Sequence, residues 1–183
     1  RDNGSIASYN KINGALNWFT ITSSRSGRND LESQRDAEMD IKTEDDKLFY
    51  GHFQGNLTSL DIKTGGIIWS SPFSVTSNIS LTSSAIITTT TENMLISLDK
   101  TSGFLNWKQQ FKDIITEPFV INNIAMVFTT SGLLIGHDLQ NGSKIFEKDI
   151  GLDINHKTQF IIDKNRVYFQ SENGKIVCLQ ITT

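Results

Sequence analysis

Cysteine, basic runs and long apolar runs are all scarce in this chain of 183 residues, and each shortage closes a class of function. The single cysteine, Cys178, excludes an internal disulfide and any metal site built on several thiolates. No run of lysine and arginine occurs and the net charge is −3, which argues against nucleic acid as a partner. No apolar run approaches the roughly 20 residues that a helix needs to span a bilayer. No segment sustains a helical period. The opening Arg1-Asp2-Asn3-Gly4 is no signal peptide, and it falls in mid-repeat, so a longer protein is expected.

What the chain does have is a phrase that returns five times. From Gly4, Gly55, Asn93 and Gly132, a glycine follows ten residues later, at Gly14, Gly65, Gly103 and Gly142. Four residues further stands an aromatic: Trp18, Trp69, Trp107 and Phe146. An acid or amide sits six past each start, at Asn10, Asp61, Asp99 and Asp138. Gly174 opens a fifth copy. Four past each start is a small residue, Ser8, Ser59, Ser97, Gly136 and then Cys178, so the cysteine is expected to be a packed, inert thiol. Fixed-period similarity of this kind points to a repeat architecture.

Each phrase reads as a β-hairpin. Leu57 to Leu60 is a short apolar strand, Ile67 to Trp69 belongs to its return, and Asp61 and Gly65 frame the turn. Aspartate accepts from amides two residues on, and glycine takes the positive φ of a bulged hairpin. Two more strand-like runs precede each hairpin. The nearer are Lys47–Phe53, Ser84–Thr91, Ile124–Thr130 and Arg166–Gln170, rich in β-branched and aromatic residues. The farther centre on Ile41, Ile79–Leu81, Phe119–Ile121 and Phe160–Ile162.

Four short antiparallel strands per unit, repeated, mark the blade of a β-propeller. Leu57, Leu60, Ile67 and Ile68 put apolar surface on both faces of a blade, as expected where each sheet lies between two others. The recurrent aromatic is then an inter-blade packing residue. The expected organisation is all-β, one propeller segment over 1–183, with units at about 1–22, 37–74, 75–112, 113–151 and 152–183. The step from Gly4 to Gly55 is longer than the others. Its excess lies in the polar loop 23–36, of a length that is either functional or disordered.

Catalysis finds little support. His52, His137 and His156 fall in different repeats, none with a serine or cysteine partner at a recognisable spacing, and no His-x-x-x-His occurs. His137 fills the slot of Leu60 and Leu98, so packing is its expected role. No cofactor or metal site is expected. The sequons at Asn3, Asn56, Asn78 and Asn141 leave an extracellular or lumenal sensing domain as an alternative.

The repeat, with its Gly-x-hydrophobic-x-small-hydrophobic-Asp, then Gly and Trp, resembles the PQQ-like propeller repeat. A narrower resemblance is to the C-terminal half of the BamB family, lipoproteins of the outer-membrane β-barrel assembly machinery. It is carried by Asp2-Asn3-Gly4, by the long loop running through Leu31 to Arg35-Asp36-Ala37-Glu38, by Gly55-Asn56-Leu57-Thr58-Ser59-Leu60-Asp61, and by the ending Gly174-Lys-Ile-Val-Cys-Leu. The resemblance implies a partial ring of about four blades from an eight-bladed propeller, without catalysis. It implies binding to BamA through Asp36 and Glu38, with Arg35 and Leu31 beside them; Glu38 stands where an aspartate is usual. It also implies a place on the periplasmic side of the outer membrane, a lipid anchor upstream, and contact with unfolded outer-membrane protein chains. Self-association of the half-propeller is a further expectation, since a half-ring leaves strand edges and apolar faces at both ends. The enzyme alternative is a fragment of a PQQ-dependent quinoprotein dehydrogenase. Those enzymes hold the quinone beneath a disulfide between adjacent cysteines, which one cysteine cannot form.

Overall fold

Strands follow one another as antiparallel neighbours throughout, because each is short, β-branched and joined to the next by a tight turn. The computed structural model describes residues 5–22, 40–51 and 55–182. The first sheet pairs β1 (Ser5–Tyr9) with β2 (Leu16–Ile21). The next runs through β3 (Lys42–Glu44), β4 (Lys47–Tyr50), β5 (Leu57–Asp61) and β6 (Ile67–Ser71) in sequence order. A second four-stranded sheet holds β7 (Ser80–Leu81), β8 (Ala85–Thr89), β9 (Met94–Asp99) and β10 (Leu105–Gln110). A third holds β11 (Phe119–Ile121), β12 (Ile124–Phe128), β13 (Leu133–Asp138) and β14 (Lys144–Asp149). The last has three strands among the described residues: β15 (Ile161–Asp163), β16 (Arg166–Gln170) and β17 (Ile176–Gln180). No helix occurs among the described residues.

The tight turns within each sheet fall at the expected clusters. Asp45, Asn122, Asn123 and Lys164 take positive φ, the backbone that lets a two-residue turn follow the strand twist. The longer hairpin turns are Asx turns. Asp61 Oδ1 accepts from the amides of Lys63 and Thr64 at 3.0 and 2.8 Å, and Asp138 Oδ1 from those of Gln140 and Asn141 at 2.9 and 3.0 Å. Hydrogen bonding from Thr64 holds the Asp61 carboxyl below the usual carboxylate range.

Four hairpins share one irregularity. Ser8 pairs with Trp18, Ser59 with Trp69, Ser97 with Trp107 and Gly136 with Phe146, and the register slips just beside each pair. The extra residues are Asn17, Ile68, Asn106 and Ile145, the bulge of each outer strand. The small-residue slot is thereby explained: it lies across the ladder from the ring. A Cβ on Gly136 would collide with Phe146. In two hairpins the bulged asparagine donates to that slot, Asn17 Nδ2 to Ser8 Oγ and Asn106 Nδ2 to Ser97 Oγ, each at 3.2 Å.

Two compact units emerge from the contacts, one of residues 1–76 with 101–104 and the other of 77–100 with 105–183. In the first, Ile6, Leu48, Tyr50 and Leu60 form a core against which Trp18 packs. In the second, one core gathers Ile87, Leu95, Trp107, Ile115 and Val127. Another is built on four phenylalanines, Phe119, Phe128, Phe160 and Phe169, with ring centroids 5.1–5.8 Å apart. Offset and edge contacts at these distances add to the area they bury.

Two expectations about packing fail. Ile67 and Ile68 are about half exposed, because β6 is the last strand of its sheet and Ile68 is the bulged residue. Cys178 is exposed, not packed. The rings that face the small slot elsewhere stand on a fourth strand, and β17 is the last strand of its sheet among the described residues.

Candidate functional site

Each of the three hairpin tryptophans is seated on the turn of the following hairpin. In the first unit the Trp18 indole donates to Ile62 O at 3.1 Å, and Thr20 Oγ1 donates to Gly65 O at 2.6 Å. Trp69 and Ser71 repeat the arrangement on Gly103, with the Ser71 hydroxyl donating to the glycine carbonyl. In the second unit Trp107 Nε1 donates to Leu139 O at 2.9 Å, and Gln109 Nε2 to Gly142 O at 2.8 Å. A Cβ added to Gly65 or Gly103 would stand 2.5 Å from the ring above it, and one on Gly142 2.6 Å. Steric exclusion therefore keeps these glycines beyond their positive φ of 71°, 73° and 74°. The polar residue two past each tryptophan, Thr20, Ser71 or Gln109, makes this contact, and its recurrence at that spacing is visible in the sequence. All of this machinery is structural.

The break in the period maps to one topological place. Residues 22–41, twenty in all, separate β2 from β3, the link from the outer strand of one sheet to the inner strand of the next. The corresponding links are 72–79, 111–118 and 150–160. Each of these short links buries an apolar anchor: Val75 with Ile79, Ile115, and Ile154 are at most 5 % exposed. The candidate contact residues Leu31, Arg35, Asp36 and Glu38 lie outside the described residues, so no geometry is assigned to them. The link leaves β2 at the buried Thr22 and reaches β3 through the exposed Asp40 and half-exposed Ile41.

The outer strands differ in charge. β14 carries Lys144, Glu147, Lys148 and Asp149, and β10 carries Lys108, whereas β2 and β6 have no charged side chain. Charge on an edge strand discourages pairing with another chain, so among these four strands β2 and β6 are the more open to it, and β17 is likewise uncharged.

Among the described residues the histidines do not converge. His52 lies outside the described residues, and His156 is exposed. His137 is buried at 4 % exposure and donates from Nδ1 to Gly142 O at 2.9 Å. Burial holds its imidazole below the ordinary value, opposed by that hydrogen bond and aided by Lys144. Among the described residues no group of three His, Cys, Asp or Glu side chains could hold a metal ion.

A family model described as "Outer membrane protein assembly factor BamB" matches residues 1–109 and again 57–183. The chain belongs to the BamB family. The BamB of Shewanella oneidensis is 22% identical over 180 residues, covering 97% of this chain and 45% of that protein. The crystal structure of BamB from Moraxella catarrhalis superposes with a TM-score of 0.84 at 21% identity, over 98% of this chain and 54% of that one. The fold is therefore the β-propeller with PQQ-like blades, as the repeat implied. The same fold occurs in a quinohemoprotein alcohol dehydrogenase from Pseudomonas putida, with a TM-score of 0.59 over 76% of this chain at 14% identity. Fold alone does not choose between scaffold and enzyme. The chain spans about half the length of the curated BamB relatives it matches.

Proposed function

We propose that this chain is part of a non-catalytic scaffold of the outer-membrane β-barrel assembly machinery, working on the periplasmic side of that membrane. Membership of the BamB family over the whole chain carries the reading. Its contact with BamA runs through the link between β2 and β3, with Asp36 and Glu38 as the charged contacts and Arg35 and Leu31 beside them. Support comes from the placement of the extra residues. They lengthen one link between sheets and leave every hairpin intact, as a partner-binding insertion must if the core is to survive.

Two carboxylates two positions apart on such a link attract and orient a basic patch, acting on association rate and specificity more than on affinity. Chains awaiting insertion pair transiently with the uncharged edges β2 and β6, by the strand addition that open sheet edges allow. The test uses the full-length protein with Asp36→Ala and Glu38→Ala together. Reduced retention of BamA in a pull-down, with thermal stability intact, is the expected result; unchanged retention refutes the contact.

A further inference from the structure

His137 is the anomaly of the repeat. Its slot holds the fully buried Leu60 and Leu98 in two other hairpins, yet here an imidazole is buried to 4 % exposure. Nδ1 is committed, since a carbonyl can only accept and Gly142 O stands 2.9 Å away. In the neutral ring Nε2 is then a bare acceptor. It is buried and has no hydrogen-bond partner among the described residues. A leucine would have filled the slot without that cost, which for an unpaired buried acceptor is a substantial fraction of a domain's stability.

The same imidazole lines a cavity of about 580 Å³ within the second unit, between β10 and the β13–β14 hairpin. Leu133, Ile135 and Phe111 supply its apolar wall. The Phe111 ring stands edge-on to the imidazole, with centroids 5.7 Å apart at 79°. Lys112, Asp113, Lys144 and Glu147 line it with charges that cancel, and the last two form an ion pair at 2.8 Å. A volume of this order is that of a small-molecule pocket.

We propose that this cavity binds a small neutral amphiphile through one hydroxyl or amide N–H donated to His137 Nε2. Its apolar body lies against Ile135, Leu133 and Phe111. The two lysines and two acids of the lining balance, which favours a neutral ligand, and the buried, unpaired Nε2 favours one that brings a donor. Nε2 is itself covered, so binding requires a neighbouring side chain to give way, and the half-buried Phe111 ring, edge-on to the imidazole, is the candidate the geometry offers. The site shares no residue with the proposed BamA contact and stands or falls independently of it.

Phenol is the probe, and toluene, with the same ring and no donor, is the control. Both are titrated into the full chain labelled with ¹⁵N-histidine. Phenol is expected to shift the His137 Nε2 resonance and to bind about tenfold more tightly than toluene, the preference one hydrogen bond supplies. His137→Leu, which installs the residue of the sister repeats, is expected to abolish that preference while still admitting both rings. Three results overturn the proposal: no shift at tens of millimolar phenol, equal affinity for toluene in the unaltered protein, or a preference that survives His137→Leu. The first two need no variant, so they hold even if the substitution disturbs folding.

Discussion

The turn at Gly14 and the turn at Gly65 share a backbone, with φ of 71° at both glycines, but among the described residues only Gly65 carries a neighbour. At Gly65 the Trp18 ring rests where a side chain would begin, whereas a Cβ on Gly14 would meet nothing within 4 Å. The motif is thus held in place by two separable demands, a local one from the turn and a long-range one from the ring above it. Among the described residues, Gly14 shows only the first of them.

Removing a seated ring should give the largest effect. Trp107 is 7 % exposed and bonds to Leu139 O, so Trp107→Ala should destabilise the protein by about 3–5 kcal/mol in chemical denaturation. The two glycines then sharpen the contrast. Gly65→Ala combines left-handed strain with a clash against Trp18, for a loss of about 2–4 kcal/mol. Gly14→Ala in this chain of 183 residues meets only the strain among the described residues and should lose about 1–2 kcal/mol. Equal losses at the two sites would show that the seat contributes nothing.

A smaller effect separates His137 from the leucines of its slot. The folded pKa lies below the unfolded value of 6.5, so below about pH 6.5 the unfolded chain binds the proton more readily. Stability should be full above that pH and fall as the solution is acidified. His137→Leu should remove this component of the acid slope. It should also raise stability at neutral pH by up to about 1 kcal/mol, because a buried unpaired acceptor is deleted. Melting temperatures from pH 5 to 8 for the two proteins check both statements.

Much of this architecture is written in the chain. The period exposes the hairpins because Asp61 and Gly65, or Asp138 and Gly142, must recur wherever an Asx turn closes a bulged hairpin. Arg166–Gln170 and Phe119–Ile121 could be bounded from residue types alone, since turn residues flank them on both sides. Other features depend on what packs where. Ile67 and Ile68 look like core residues, and only the position of β6 at the end of its sheet leaves them exposed. Cys178 matches its slot by size, but a slot packs only when a ring faces it across a further strand. The four-phenylalanine cluster joins residues from 119 to 169, a separation no local pattern reveals. Of the candidate contact, the sequence displays the lengthened link and its carboxylates, while the partner that gives them meaning lies outside the chain.

The link between β2 and β3 carries the proposed contact. The Asp36→Ala, Glu38→Ala double variant of the full-length protein should be measured for BamA affinity and melting temperature side by side. The account predicts weakened binding, mainly through a slower association rate, and an unchanged melting temperature. Unchanged binding, or a melting temperature that falls along with it, would contradict the claim that function resides where the repeat is broken.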